Sequence, residues 1–205
     1  MLRYTIAILL FFVSLTGFSA DFVAGKDYEV LKETNQLDKV HGSVSVTEFF
    51  SFGCPWCYRI DTNLNKWVRQ HGQQIYFKKI PVVFHADWKF YAKAYYAAHA
   101  LSLGQQLEPA IFKAIMVDKQ PLNSDQAMIN FFIQQGVPAA TAKSAFSYSP
   151  SIDLSVKAGQ TLMARYHVIS VPSFVVNNQF KTDLQMAKSE ERLFAILDYL
   201  IRQSK

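Results

Sequence analysis

The sequence predicts an α/β fold: one mixed sheet whose chain order is broken by an inserted helical subdomain. Three observations predict it. Residues 44–52 are an almost unbroken run of β-branched and aromatic side chains, the pattern of a central strand buried on both faces. Residues 87–166 repeat alanines, aromatics and leucines at spacings of three and four and contain no convincing strand. Strand character returns only afterwards, at 168–176. With 205 residues, half of them hydrophobic, the chain has ample material for one packed core.

Taken in order, residues 28–31 suit a short edge strand, and 44–52 the central one. Cys54 follows at once, and Pro55 falls at the first position of a helix, where the missing N–H has no helical partner anyway. Ile60, Leu64, Trp67 and Val68 recur at helical spacing behind it. Residues 74–83 read as the next strand, so this unit is βαβ and its two strands are expected to run parallel. The helical block, placed at about 85–166, is punctuated near Gly104, Pro121 and Gly136–Pro138, with Asn123 or Ser124 and Ser151 as N-cap candidates. Asn177–Asn178 suits a tight hairpin turn between 168–176 and a partner strand at 179–182. Ser189 caps a last helix whose stripe is Leu193, Ile196, Leu197 and Leu200. This order describes a thioredoxin-like sheet interrupted by helices.

Residues 1–20 form a separate object. Arg3, the apolar run from Ile6 to Val13 and the small residues Gly17, Ser19 and Ala20 give the pattern of a secretory signal peptide, leaving 21–205 as the mature domain. The competing reading is an uncleaved anchor, although the run is short of the about 20 apolar residues a span requires. No later stretch is long and apolar enough to cross a bilayer. The net charge of +5 is spread without a dense Lys/Arg run, so no nucleic-acid partner is expected.

Export changes what the cysteines mean. There are two, Cys54 and Cys57, both inside one Cys-Pro-Trp-Cys unit, so none is left for spaced structural staples. A sulfur at a helix start faces free backbone N–H groups and the positive end of the helix dipole. Both stabilise the thiolate, which is the attacking species in disulfide exchange. Cys57, three residues on, can close the disulfide or resolve a mixed one. A structural clasp of so short a loop would constrain little chain entropy. Structural zinc needs four ligands, and the five histidines show no paired spacing, so neither metal nor other cofactor is expected. Two further residues stand out. Glu48, six before Cys54 inside the apolar run, should have a raised pKa if that run is buried, and could exchange a proton with the Cys57 sulfur. The alternative is an ordinary strand acid in solvent. Val171–Pro172 opens the later strand, and the isomer of that bond is not fixed by sequence.

Glu48-Phe-Phe-Ser-Phe-Gly-Cys54-Pro55-Trp56-Cys57-Tyr58, with the later Ser170-Val171-Pro172-Ser173-Phe174, resembles the DsbA family of periplasmic disulfide oxidases over nearly all of the mature chain. The resemblance implies a thioredoxin domain with a helical insertion, and a periplasmic thiol:disulfide oxidoreductase. It implies that Cys54 is the exposed nucleophile, Cys57 its resolving partner and Glu48 the buried acid. Pro172 would be a cis-proline facing the disulfide, with Val171 beside it. Pro55 and Trp56 would meet substrate. The implied partners are reduced, unfolded exported proteins and a quinone-linked membrane oxidase of the DsbB type. One departure matters: the best-known members carry histidine where this chain has Trp56, and an indole carries no charge. Cys54 is therefore expected to stay below a free thiol in pKa but above the histidine-bearing enzymes. The competing functions are a reductase or isomerase on the same scaffold, a glutathione-dependent transferase relative, and a non-redox peptide-binding or chaperone module.

Overall fold

The computed structural model describes residues 22–31 and 43–204; the expected signal peptide lies outside them. Five strands form one sheet in the order β1-β5-β4-β2-β3: β1 (Glu29–Val30), β2 (Val44–Phe50), β3 (Ile75–Pro81), β4 (Ser173–Val176) and β5 (Phe180–Asp183). β2 runs parallel to β3 and antiparallel to β4, and β5 pairs antiparallel with both β4 and β1. Every residue of β2 is buried, which is why its sequence is a run and not an alternation. Helix α1 (Pro55–His71) connects β2 to β3. Five helices then separate β3 from β4: α2 (Trp88–Ala100), α3 (Gly104–Met116), α4 (Asp125–Gln134), α5 (Ala139–Ser147) and α6 (Pro150–Arg165). The chain closes with the short α7 (Leu184–Ala187) and with α8 (Glu190–Gln203).

The period of two in the strands sorts the core. Val44, Val46, Phe174 and Val176 face α1 and α8, meeting Ile60, Leu64 and the stripe Leu193, Ile196, Leu197 and Leu200. Phe49, Ile80 and Val175 point to the other face, against Tyr166 and Val168. Phe50 and Phe52, at the end of β2, join a third core filled mainly by the helical insertion, and Cys54 and Cys57 belong to it. The insertion is thus packed directly onto the end of the sheet where the two sulfurs sit.

Several boundaries differ from expectation, each for a local reason. β2 stops at Phe50 because Ser51 turns the chain: its carbonyl accepts the Cys54 N–H at 3.0 Å and its Oγ accepts the Gly53 N–H at 3.1 Å. β4 begins at Ser173 and not at 168, since Pro172 has no N–H to give a ladder. Ser124 caps α4 by accepting the Ala127 N–H at 3.1 Å, but Ser151 caps nothing. α6 starts at Pro150, two residues before a helix capped by Ser151 would begin, and the proline ring suits that first helical position. Asn177 and Asn178 take the left-handed φ values, +51° and +56°, that a tight hairpin turn requires. Ser189 caps α8 through the Arg192 N–H at 3.2 Å.

Candidate active site

The turn that ends β2 delivers Cys54 to the N-cap of α1. Its Sγ accepts the Cys57 backbone N–H at 3.2 Å, doing what a serine or aspartate does at other helix starts. Gly53 is required here for lack of space: a Cβ would collide with the indole of Trp88 at the start of α2. Both cysteines are in the dithiol state. Cys57 lies one turn deeper and is 1% exposed. Cys54, expected to be exposed, is itself only 4% exposed. The reason is the loop before β4: the Val171 carbonyl lies 3.4 Å from Cys54 Sγ and covers it. The Val171–Pro172 bond is cis, and Pro172 is largely buried.

The two sulfurs differ in acidity. A hydrogen bond from the Cys57 thiol holds the Cys54 thiol below the ordinary thiol range against the effect of burial, helped by the backbone N–H groups of Cys57 and Trp56. Burial, and then the neighbouring Cys54 sulfur, push Cys57 well up. Glu48 adds to that, which puts its carboxyl in electrostatic reach of Cys57.

Glu48 is 2% exposed, and burial pushes its pKa up to about 8, with Lys79 opposing and Asp61 and Glu108 adding to the rise. Its Oε2 has no hydrogen-bond partner and lies 4.0 Å from Lys79 Nζ. Lys79 stands directly opposite Glu48 in the β2–β3 register. Its ammonium donates to Asp61 of α1 at 2.8 Å and to Glu108 of α3 at 3.0 Å, and His99 of α2 sits 2.7 Å from the other oxygen of Glu108. Burial alone would lower the Lys79 pKa; the three carboxylates outweigh it and raise it. Below the dithiol there is therefore one buried cation among three acids, one of which is protonated near neutral pH.

Trp56 is 53% exposed, with the Arg59 guanidinium 5.2 Å from its ring centre. Pro55 is exposed beside it. A groove of about 520 Å3 is lined by Trp56, Arg59, Val171, Pro172, Leu184 and Gln185. The structure thus gathers Cys54, Cys57, Val171 and Pro172 at one end of the sheet, with Glu48 beneath and Pro55 and Trp56 at the rim. Sequence reasoning missed Lys79, Asp61, Glu108 and His99. A signal for the first existed: a lysine inside an otherwise apolar run needs a carboxylate partner once that run is buried.

A dithiol of split acidity at a helix start, seated on a thioredoxin-like sheet, defines the class: a thiol:disulfide oxidoreductase. Comparison with known proteins narrows it. The model of the DSBA-like thioredoxin domain matches residues 45–200. The thiol:disulfide interchange protein DsbA of Burkholderia cepacia is 35% identical over 180 residues, covering 88% of this chain and 84% of that one. Crystalline Pseudomonas aeruginosa DsbA superposes with a TM-score of 0.83 at 25% identity, covering 89% of this chain and 94% of that one. Proteus mirabilis DsbA, solved with a non-covalently bound peptide, gives 0.72 at 25% identity over 90% and 99%. The chain belongs to the DSBA-like thioredoxin domain family, and it is a thiol:disulfide oxidoreductase that donates disulfides to substrate proteins.

Proposed function

We propose that the Cys54–Cys57 pair carries this exchange, acting on reduced, unfolded exported proteins in the periplasm. A client thiolate attacks Cys54 Sγ of the oxidised pair. A mixed disulfide forms, and the Cys54–Cys57 bond breaks with its electron pair going to Cys57. The buried Cys57 sulfur takes a proton, and protonated Glu48 beneath it is the supplier. A second client thiolate then attacks the client sulfur of the mixed disulfide and Cys54 leaves as a thiolate. The client gains one disulfide and the enzyme is left as the dithiol. Cys54 suits the leaving role because its thiolate is the stabilised one. Trp56, Pro55, Val171 and Pro172 form the rim on which the client's chain lies, a reading favoured by the peptide bound to the Proteus mirabilis relative.

Return to the disulfide needs an electron acceptor, and a quinone-linked membrane oxidase of the DsbB type supplies it. Residues 1–20 act as the signal peptide that brings residues 21–205 to this compartment. The observation that carries the proposal is the asymmetry of the two sulfurs: Cys54 at the helix N-cap beside the Val171 carbonyl with its thiol held acidic, Cys57 one turn deeper with its thiol pushed up. A Cys57→Ala variant tests it. Offered client proteins that already carry a disulfide, it should accumulate them linked to Cys54. The Cys54 thiolate attacks one client sulfur, the other leaves as a thiolate, and no Cys57 is present to release the bond. High-mass bands then appear that collapse on reduction. If it accumulates none while Cys54→Ala does, the roles are reversed.

A further inference from the structure

Asp183, the last residue of β5, makes two hydrogen bonds in different directions. Its Oδ1 accepts the Met186 backbone N–H at 2.8 Å, which caps α7. Its Oδ2 accepts the Ser170 hydroxyl at 2.9 Å. Ser170 is fixed at its other end as well, its carbonyl accepting the Ser173 hydroxyl at 2.7 Å. Ser173 stands opposite Asp183 across the β4–β5 ladder and opposite Phe49 of β2. One carboxylate therefore ties together two of the segments that line the groove: Ser170-Val171-Pro172, and Leu184 with Gln185. The residue after Ser170 is the one whose carbonyl lies 3.4 Å from Cys54 Sγ.

We propose that Asp183 is a positioning residue for disulfide exchange: through Ser170 it fixes these two segments of the client groove relative to each other and holds the Val171 carbonyl over Cys54. The proposal rests on Cys54 being the attacked sulfur. Holding the segments at a set separation means that a client meets a formed groove and does not have to order it on binding. The carbonyl has a second effect. An oxygen lone pair beside Sγ accepts from the thiol and repels the thiolate, so it favours the protonated form. Loosening the loop should weaken client binding and, in the same step, make Cys54 more acidic. A residue that merely supported the fold would do neither in a chain that remains folded.

Ser170→Ala removes only the link to the loop and leaves the α7 cap in place. It should raise KM for a cysteine-containing peptide by roughly three- to tenfold, the range for one lost hydrogen bond. It should also lower the Cys54 pKa by thiolate absorbance, with circular dichroism and thermal midpoint close to the parent. Asp183→Ala should reproduce both effects. Asp183→Asn should restore most of KM, since its amide can still accept from Met186 N–H and donate to the Ser170 hydroxyl. Should Asp183→Ala not fold, Ser170→Ala decides alone. A folded Ser170→Ala enzyme with unchanged KM and unchanged Cys54 pKa overturns the proposal and leaves the role of Cys54 untouched. Retention of activity by Cys54→Ser would instead remove the reading beneath it.

Discussion

Two thiols three residues apart carry opposite pKa shifts, and the residue scale explains why. Cys54 gains donors at the helix start, whereas Cys57 loses water and faces another sulfur. Residue 56 contributes only its backbone N–H, since its indole is neutral. Placing a cation there should add to the Cys54 shift: Trp56→His is expected to lower the Cys54 pKa by about one unit, measured by thiolate absorbance. No change would mean that the backbone donors already saturate the effect. Glu48 gives a stability prediction whose sign is fixed. Its pKa is raised in the fold to about 8 from an ordinary value of 4.5. The folded state thus binds the proton more tightly, and this contribution is complete below about pH 4.5 and lost as pH rises towards 8. Glu48→Gln stays neutral throughout, so it should remove that decline and exceed the parent in stability at pH 8–9 by on the order of a few kcal/mol. Thermal melts of both proteins from pH 5 to 9 check this. A parent no less stable, relative to Glu48→Gln, at pH 8–9 than at pH 5 would contradict it. Cys54, Cys57 and Glu48 were all visible in the sequence, because a Cys-x-x-Cys after an apolar run and an acid inside that run are local patterns. The Val171 carbonyl and the Asp183 tie were not, since a backbone oxygen brought over from 117 residues away leaves no local mark.

At the scale of elements, the strand–turn–helix that presents Cys54 and the β2–β3 pair beneath it carry the design. Gly53 lets Trp88 pack against the turn, so Gly53→Ala should destabilise the protein by about 1–3 kcal/mol, in the range of other overpacked sites. A denaturant titration checks it, and a Gly53→Ala protein as stable as the parent would show that the indole moves aside freely. Lys79 shows how an element missed by sequence can matter as much as one found. Lys79→Met leaves Asp61 and Glu108 without their cation and Glu48 deeper in apolar surroundings. It is expected to cost about 3–5 kcal/mol, the range for breaking a buried pair on one side. The elements themselves were legible wherever one rule dominated: the run of β2, the stripe of α8, the left-handed Asn177–Asn178 turn. They were misjudged where two rules competed. Residues 168–171 have strand composition, but the proline after them and the tie to Asp183 hold them as a loop beside Cys54. Ser151 is a good cap by type, yet Pro150 claims the helix start.

For the whole molecule, sequence left the helical insertion without a purpose, because which face it covers depends on packing between distant segments. The structure assigns it one. It supplies Trp88 against Gly53, Glu108 and His99 to the charge cluster, and the apolar wall that buries Cys57. The thioredoxin-like sheet sets the dithiol at a helix start, and the insertion packs against both sulfurs, Cys57 the deeper of the two. The asymmetry that follows should favour the dithiol form, since a stabilised Cys54 thiolate stabilises the reduced state. The most direct test is the reduction potential of the Cys54–Cys57 pair in residues 21–205, equilibrated in graded glutathione buffers. A value on the oxidising side of about −200 mV is expected, against about −270 mV for thioredoxin. A thioredoxin-like value would contradict the account, because it would mean that the helix-start donors do not stabilise the reduced pair enough for it to give disulfides away.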